Sequence, residues 1–195
     1  MADKFLIASN NAHKISEFKK IFDKLGFELV TPKELGISCD PEENGATFEE
    51  NSLIKAREFF KLSGIPTVAD DSGLCVNALN GEPGIYSARY GGMDNDTERL
   101  FFLLSNIKDK TDRTAFFACA ISCVIDEDTE FVVRENVYGT LLFEPVGECG
   151  FGYDPIFVPD GFEETFAQMS QEQKNKISHR AKALESFSHK IKEIY

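Results

Sequence analysis

The 195-residue sequence is short of positive charge. It has 21 Lys and Arg residues against 33 Asp and Glu residues, and its formal net charge at pH 7 is −12. A chain of this charge is repelled by the phosphate backbone of nucleic acids and by anionic membranes. We therefore expect no stable nucleic-acid binding and no membrane binding. A ligand that carries phosphates would need locally placed cations or a metal ion.

Long apolar runs are also missing. No stretch approaches the roughly 20 residues that a bilayer-spanning helix needs. The first five residues, Met-Ala-Asp-Lys-Phe, lack the basic region, apolar run and cleavage site of a signal peptide. These features predict a cytoplasmic location.

Cysteine and histidine are too few, and wrongly spaced, for several kinds of site. The five cysteines are odd in number and contain no Cys-x-x-Cys pair, which argues against a disulfide framework and a structural zinc site. We expect reduced thiols, several of them buried. Three histidines make a histidine-rich metal centre improbable. A hard cation bound by carboxylate oxygens stays compatible with the composition.

The periodicity of apolar residues predicts an α/β fold. A hydrophobic content of 42% and a length of 195 residues fit one compact domain, residues 1–195, which can be bilobal. Thr47 and Glu50 form a predicted capping box at the start of a helix. The order of elements predicts an α/β sheet with helices packed on it. The predicted strands are residues 4–9, 27–31, 65–69, 114–125 and 129–137, and the predicted helices include 94–106 and most of 170–195.

Two adjacent carboxylates, Asp70 and Asp71, follow the predicted strand at 65–69 and precede Ser72 and Gly73. Strand ends are where α/β proteins place functional side chains. Because strand side chains alternate between faces, only one of the two readily points into a cleft, while the other anchors the turn or faces solvent. The pair indicates two roles rather than one dyad. Taken alone, the segment is typical of an ordinary acidic turn.

A phosphate-binding candidate lies between the first predicted strand and the helix after it. Free backbone amides and the positive end of the helix dipole favour an anion there, and a lysine adds a mobile cation. The segment has neither the spacing nor the glycines of the Walker motif. By itself it favours the alternative, a simple helix cap with a solvated lysine. Its residues are Ser9, Asn10, Asn11, Ala12, His13 and Lys14.

A metal-binding candidate combines Asp71 with the acidic loop that contains Glu42 and Glu43. Mg²⁺ takes oxygen ligands and usually keeps waters and substrate phosphates in its shell. The alternative is a solvated acidic loop, which is ordinary in a chain this acidic.

Two further candidates lie in the last third of the chain. In the loop at 149–155, Phe151 and Tyr153 flank Gly152, so a ring can stack on a planar base, a contact worth about 1–3 kcal/mol in nucleic-acid systems. Both rings could equally belong to the core. A basic stretch offers donors for a carbonyl edge or a phosphate, and a solvated helix face is its alternative. That stretch contains Lys174, His179 and Arg180.

Taken together and in this order, these segments resemble the inosine triphosphate pyrophosphatase family over nearly the whole chain. Each motif is weak alone, and the set is highly specific. The motifs are Ser9-x-Asn11-x-x-Lys14, Thr47-Phe48-x-Glu50-Asn51-Ser52-x-x-Lys55-Ala56, Ala69-Asp70-Asp71-Ser72-Gly73-Leu74, Pro83-Gly84-Ile85-Tyr86-Ser87-Ala88-Arg89, Gly150-Phe151-Gly152-Tyr153-Asp154-Pro155 and Ile177-Ser178-His179-Arg180.

The resemblance implies a long central mixed β-sheet with flanking helices, two lobes around a deep cleft, and a homodimer. It implies Mg²⁺-dependent hydrolysis of ITP, dITP and XTP to the monophosphate and pyrophosphate, which cleanses the nucleotide pool. A catalytically silent purine-nucleotide sensor and a phosphatase that releases orthophosphate are the alternatives.

The same resemblance assigns roles to individual residues. Asp71 is the proton acceptor and a metal ligand, and Glu42 is chosen over Glu43 as the second metal ligand. The residues expected to bind substrate are Ser9, Asn10, Asn11, Ala12, His13 and Lys14 for the phosphates, and Ser72, Phe151, Gly152, Tyr153, Asp154, Lys174, His179 and Arg180 for the nucleoside.

The sequence departs from the family pattern at two places. His13 stands where many members have a small residue or lysine, and Glu148-Cys149-Gly150 replaces the more familiar Thr-Gly-Gly. The second change bears on the flexibility of the loop and on base selectivity.

Overall fold

The computed structural model describes residues 4–195 of the chain. None of the helices in this range is both long and apolar enough to cross a bilayer. Short 3-10 helices add to the regular elements, among them two that meet at a kink within Gly84–Gly92. The helices are α1 (Ala12–Leu25), α2 (Phe48–Ser63), α3 (Asp96–Asn106), α4 (Gln171–Ile177) and α5 (His179–Lys192), and the strands are β1 (Lys4–Ile7), β2 (Glu28–Val30), β3 (Thr67–Val76), β4 (Thr114–Val124), β5 (Glu130–Leu141) and β6 (Phe157–Pro159).

The strands form one mixed six-stranded sheet in the order β2-β1-β3-β4-β5-β6. β1 pairs in parallel with both β2 and β3, and β5 pairs antiparallel with β6. Helices connect the parallel strands, because a parallel pair needs a crossover connection. The predicted α/β class with a mixed sheet is therefore confirmed.

The chain divides into two compact units. The first contains the chain as far as Asp71 together with Cys119–Glu135 and Ala183–Tyr195, and the second contains Ser72–Ala118 and Asn136–Lys182. The boundaries fall inside β3, β4, β5 and α5. The single-domain assignment and the cleft stay predictions.

In the first unit, apolar side chains cover both faces of β1. Phe5 and Ile7 pack with side chains of α1 and α5, such as Phe22 and Phe187. Leu6, from the opposite face, packs in a separate cluster with side chains of α2. Because strand side chains alternate between faces, a run buried on both sides reads as continuously apolar. This is the pattern that predicted a buried strand at residues 4–9.

The second unit has its own core, in which helix α3 packs against aromatic side chains. Leu100 and Leu103 of α3 join a cluster that contains Phe117, Phe157 and Phe166. The rings of Phe117 and Phe157 meet edge to face with centroids 4.8 Å apart. Large aromatic side chains bury much apolar surface, which stabilises this unit.

β3 corrects the expectation of a strand end at Asp70 and Asp71. The strand continues to Val76, and its residues are buried almost without interruption, so neither carboxylate faces open solvent. Gly73 is needed inside the strand for close approach and not for a turn. A Cβ there would lie 2.3 Å from the Ser87 hydroxyl oxygen, which accepts a hydrogen bond from the Leu74 amide at 2.9 Å.

Helix ends follow the capping signals of the sequence, with two differences. Thr47 caps α2 as predicted, but Glu50 accepts from the Ala46 amide at 2.6 Å, so the box includes one residue before the cap. The C-terminal helical region breaks at Ser178 into α4 and α5. This break has consequences for the site, because it puts His179 and Arg180 at the start of a new helix.

Candidate active site

The segment between β1 and α1 caps its own helix. The Asn11 side chain accepts hydrogen bonds from the backbone amides of His13 and Lys14, at 3.0 and 3.3 Å. Ser9 Oγ accepts from the Asn11 amide at 3.2 Å, and Asn10 and Ala12 are exposed. Two of the amides expected to be free for an anion are therefore already capped. Any preference of this segment for phosphate must come largely from Lys14.

Lys14 is held in place by an ion pair and is not the mobile cation that the sequence predicted. Its ammonium lies 3.0 Å from Asp70 Oδ2, and the Asp70 side chain is 1% exposed. An ion pair with one buried partner is screened little by salt. β3 thus fixes the position of the positive charge at the start of α1.

Asp71 belongs to a second charged group of the first unit. Lys55 of α2 lies between two carboxylates, 3.1 Å from Glu43 Oε1 and 4.0 Å from Asp71 Oδ1. All three side chains are mostly buried. One lysine therefore links the acidic loop to the strand that carries Asp71.

The Asp71 carboxyl is a stronger base than an ordinary aspartate. Burial raises its pKa most, and Lys55 lowers it as the next largest influence. The charges of Glu43 and Asp70 raise it further, whereas Lys14 lowers it. A carboxylate with a raised pKa accepts a proton more readily, which suits a general base.

Asn51 anchors the acidic loop to α2. It is fully buried, and its side-chain oxygen accepts from the Gly45 amide at 2.9 Å. A Cβ on Gly45 would lie 2.7 Å from the Glu50 Cβ, so the loop passes close to the helix. This contact fixes where the chain leaves the loop that carries Glu42 and Glu43.

The carboxylates here have the chemistry that Mg²⁺ prefers. Glu43 and Asp71 both contact Lys55, whereas Glu42 is exposed. Across residues 4–195, no three or more His, Cys, Asp or Glu residues are grouped so as to hold a metal. Mg²⁺ is usually bound through one or two carboxylates plus substrate phosphates, so a two-carboxylate site fits it. The choice of Glu42 stays a prediction, and Glu43 is the glutamate with a described contact to this group.

Arg180 and His179 are buried at the start of α5, in the second unit. The Arg180 guanidinium donates to Ser72 Oγ at 3.0 Å, and the His179 ring stacks on Phe117 with centroids 4.8 Å apart. A cation at a helix N-terminus is disfavoured by the helix dipole. A side chain whose charge opposes the helix dipole in this way is typical of a functional position. The alternative of a solvated basic face is wrong for both residues.

Lys174 is also buried, and it links Asp154 to Phe151. Its ammonium donates to Asp154 Oδ2 at 2.5 Å and lies 4.7 Å from the centre of the Phe151 ring. Burial raises the pKa of Asp154 most, and Lys174 and Arg180 lower it. Phe151 itself is 38% exposed, so one part of its ring is open to a ligand.

The rest of the loop is anchored by hydrogen bonds. Tyr153 is buried in the core and donates its hydroxyl to the Ser87 carbonyl at 3.0 Å. The Gly152 amide donates to Asp96 Oδ2 at 2.9 Å. The Tyr153 ring therefore belongs to the core, which was the alternative given for both rings of this loop. The Phe151 ring lies at the surface.

The predicted residues fall into two groups, one in each unit. Lys14 and Asp71 lie with the acidic loop in the first unit, and Ser72, Phe151, Asp154, Lys174 and Arg180 lie in the second. Both groups lie within the part of the chain that a family model covers. The sequence model of the Ham1 family matches residues 5–190.

The chain belongs to the Ham1 family. Curated relatives share its length as well as its sequence. The dITP/XTP pyrophosphatase of Leptospira interrogans serovar copenhageni is 46% identical over 188 residues, which cover 95% of each chain. That of Bacillus subtilis is 42% identical over 186 residues, 94% of each chain. The resemblance stated from the sequence motifs is confirmed.

Solved Ham1 structures share the fold. The Ham1 protein of Staphylococcus aureus matches with a TM-score of 0.91 and 42% identity, over 98% of this chain and 100% of the other. A Ham1 protein from Coxiella burnetii matches with a TM-score of 0.93 and 38% identity, over 99% and 100%. This Ham1 chain therefore shares the fold of these relatives over nearly all of its described residues.

Asp96 is a site residue that sequence reasoning missed, and Lys55 was noted only as part of a family motif, with no role assigned. Lys55 follows Asn51 by one helical turn, and both polar residues lie on a largely buried part of α2. Polar residues at helical spacing beside apolar ones were the available signal. Asp96 offered no signal, because an acidic residue in the first turn of a helix is ordinary.

Proposed function

We propose that this chain hydrolyses non-canonical purine nucleoside triphosphates, namely ITP, dITP and XTP, to the nucleoside monophosphate and pyrophosphate. The observation that carries the proposal is the buried Asp71 carboxyl, whose pKa is raised chiefly by burial and which lies beside Lys55. The names of the curated relatives, dITP/XTP pyrophosphatase, support dITP and XTP as substrates.

Asp71 acts as the general base in this proposal. A water oxygen attacks the α-phosphorus, and its proton passes to the Asp71 carboxylate. The bond between the α-phosphorus and the oxygen bridging to the β-phosphorus breaks, and pyrophosphate leaves with that oxygen. General-base catalysis contributes a factor of about 10²–10⁴ in rate. We therefore expect removal of the Asp71 carboxylate to lower the rate more than removal of any other single side chain.

Lys14 and Lys55 neutralise the phosphate chain. The protein carries a net charge of −12, so an anionic substrate depends on these positioned cations. Each is already oriented by a carboxylate, Lys14 by Asp70 and Lys55 by Glu43. Phosphate binding thus requires little rearrangement of the side chains, which keeps the entropic cost of binding low.

Mg²⁺ is the proposed cofactor, held by Asp71 and a glutamate of the acidic loop. Glu42 is the glutamate chosen from the sequence, and Glu43 is the one that shares Lys55 with Asp71. When bound, Mg²⁺ supplies positive charge to the phosphates and lowers the pKa of bound water.

The residues of the second unit are proposed to bind the nucleoside. The exposed part of the Phe151 ring stacks on the purine, and Arg180, His179 and Lys174 supply donors for its carbonyl edge. An adenine amino group at the 6-position would leave such donors unpaired, which costs binding energy. This preference for a 6-carbonyl supports hypoxanthine and xanthine as the bases.

Product analysis tests the reaction. The protein is incubated with dITP and Mg²⁺, and nucleotides and phosphates are separated by ion-exchange chromatography. We expect dIMP and pyrophosphate in equal amounts. dIDP with orthophosphate would instead identify a phosphatase, and the absence of product would identify a nucleotide sensor.

Removal of the metal ion tests the cofactor. We expect dialysis against EDTA to abolish dITP hydrolysis and added Mg²⁺ to restore it, because neutralisation of the phosphates then has to come from lysines alone. Circular dichroism of the EDTA-treated protein checks that the fold is retained. Full activity in EDTA would contradict the assignment of Mg²⁺.

A cytoplasmic homodimer is the proposed state of the protein. Tyr86, Tyr138 and Phe143 are large apolar side chains that are more than half exposed, and we propose that a second copy of the chain covers them. All five cysteines are free thiols, which supports a reducing compartment. Sedimentation velocity should give twice the mass of the chain.

A further inference from the structure

Helix α3 contacts the loop that contains Phe151 through one carboxylate. Asn95 caps α3 by accepting from the Glu98 amide at 2.9 Å, so Asp96 is not needed as the cap. Asp96 Oδ2 accepts instead from the Gly152 amide at 2.9 Å, although the two residues are 56 positions apart. This bond ties α3 to the loop.

The two backbone amides on either side of the Phe151 Cα are both held by carboxylates. The Phe151 amide donates to Asp154 Oδ2 at 2.9 Å, and the Gly152 amide donates to Asp96 Oδ2. These two bonds fix the backbone dihedral angles that aim the Phe151 ring. Of the two acceptors, Asp154 lies within the loop, and Asp96 comes from a separate element.

Arg99 orients Asp96. One guanidinium nitrogen lies 2.5 Å from Asp96 Oδ1, and another donates to the Met93 carbonyl at 2.9 Å. The Arg99 side chain is 15% exposed, whereas that of Asp96 is 50% exposed. The more buried arginine thus holds one carboxylate oxygen and directs the other to the loop. A charged acceptor makes a stronger hydrogen bond to an amide than a neutral one does.

The loop needs such an anchor because its own sequence is flexible. Gly150 and Gly152 have φ values of +79° and +60°, in the left-handed region that glycine enters at little cost. Glycines on both sides of Phe151 leave many backbone conformations open to the chain. Bonds from Asp96 and Asp154 select one of them.

We propose that Asp96, oriented by Arg99, is a positioning residue for the base: it holds the Phe151 ring at the angle that a purine needs, and so sets affinity and base selectivity without touching the reacting atoms. The inference rests on the proposed function, in which Phe151 stacks on the purine. Loss of Asp96 is expected to weaken substrate binding and to leave the chemical step unchanged.

Steady-state kinetics of Asp96→Ala test the inference. We expect KM for dITP to rise about fivefold with kcat within a factor of about two, since the lost bond acts on ground-state and transition-state binding alike. Asp96→Asn keeps an acceptor for the Gly152 amide and should recover part of the loss. Asp94→Ala removes the same charge from an exposed position two residues away and should match the unmodified protein.

A double-mutant cycle with Phe151→Ala tests whether Asp96 acts through the ring. If it does, Asp96→Ala causes no further rise in KM when Phe151 is already alanine. Base selectivity is measured as kcat/KM for dITP divided by kcat/KM for dGTP. Asp96→Ala should lower this ratio only while Phe151 is present. Additive effects would overturn the inference. So would a fall in melting temperature with KM unchanged, which would leave Asp96 as a stabiliser of α3.

The same cycle separates failure of the inference from failure of the proposed function. If Phe151→Ala raises KM and Asp96→Ala does not, only the positioning role of Asp96 is overturned. If neither variant changes KM, Phe151 does not bind the base, and the nucleoside assignment is overturned together with the inference.

Discussion

Asp70 and Asp71 are neighbours in β3, yet their carboxylates meet different lysines. Asp70 pairs with Lys14 at the start of α1, and Asp71 lies near Lys55 of α2. Strand geometry sends adjacent side chains to opposite faces, so two helices can each supply a cation. The residue pair therefore positions two lysines at once. Burial and a second carboxylate, Glu43, raise the pKa of Asp71.

Asp71→Asn should abolish turnover and retain the fold. The amide is nearly the same size but accepts no proton, so we expect kcat for dITP to fall by at least about 100-fold. The change is checked by pyrophosphate release and by circular dichroism. Asp23→Asn, an exposed change in α1, serves as the control. Near-normal kcat in the Asp71 variant would remove Asp71 from the catalytic role.

Lys55→Ala should lower kcat/KM for dITP by about tenfold or more, because two buried carboxylates lose the cation between them and phosphate loses a positive partner. Lys55→Arg keeps the charge and should recover part of the activity. Lys61→Ala, on an exposed part of the same helix, is the matched control. Equal activities of the two alanine variants would show that Lys55 takes no part in substrate binding.

At the scale of elements, breaks and bends in regular structure make the site. α4 ends at Ile177 and α5 begins at His179, so His179 and Arg180 lie at the start of a new helix, where both side chains are buried. The loop at 150–154 uses two left-handed glycines to bring the Phe151 amide to Asp154. Both features depend on backbone angles at single residues.

Gly150→Ala should be more damaging than Gly152→Ala. Each change places a Cβ at a left-handed φ and costs about 1–2 kcal/mol. At Gly150 the Cβ would also lie 2.2 Å from Asp154 Oδ2, whereas at Gly152 nothing lies within 4 Å. We expect the Gly150 variant to lose more free energy of unfolding in urea and to raise KM for dITP. Equal losses would mean that the Asp154 contact has no role in holding the loop.

At the scale of the whole molecule, paired charges are grouped separately within each of the two units. Each unit has its own apolar core and its own cluster of paired cations and carboxylates. Lys14, Lys55 and Lys174 each lie within 4.0 Å of a carboxylate, so a local ion pair holds each positive charge at a fixed point. The protein can bind a small polyanion at such points without presenting a basic surface.

Because the protein has a net charge of −12, we expect it to bind duplex DNA weakly. At physiological salt we expect a Kd weaker than about 100 μM, because non-specific binding depends on cations that contact successive phosphates. Fluorescence anisotropy of a labelled 20-base-pair duplex measures this. A Kd in the low micromolar range would contradict the expectation that the net charge excludes nucleic acid.

The sequence by itself determined the local elements and the family. Apolar periodicity and capping residues report burial and helix ends within a few residues, which is why α3 and β4 agree with their predicted positions. The motifs that carry Asp71, Phe151 and Arg180 were specific enough to indicate the Ham1 relatives by resemblance.

Only the tertiary structure decided which side chains meet. Arg180 reaches Ser72 across 108 positions, Gly152 reaches Asp96 across 56, and Lys14 is fixed by Asp70. Local patterns carry no information on such pairs, because they form when distant elements pack. The course of β3 through Asp70 and Asp71 was missed for the same reason. Two acidic residues before a serine and a glycine favour a turn locally, and burial on both faces of the sheet keeps them in the strand.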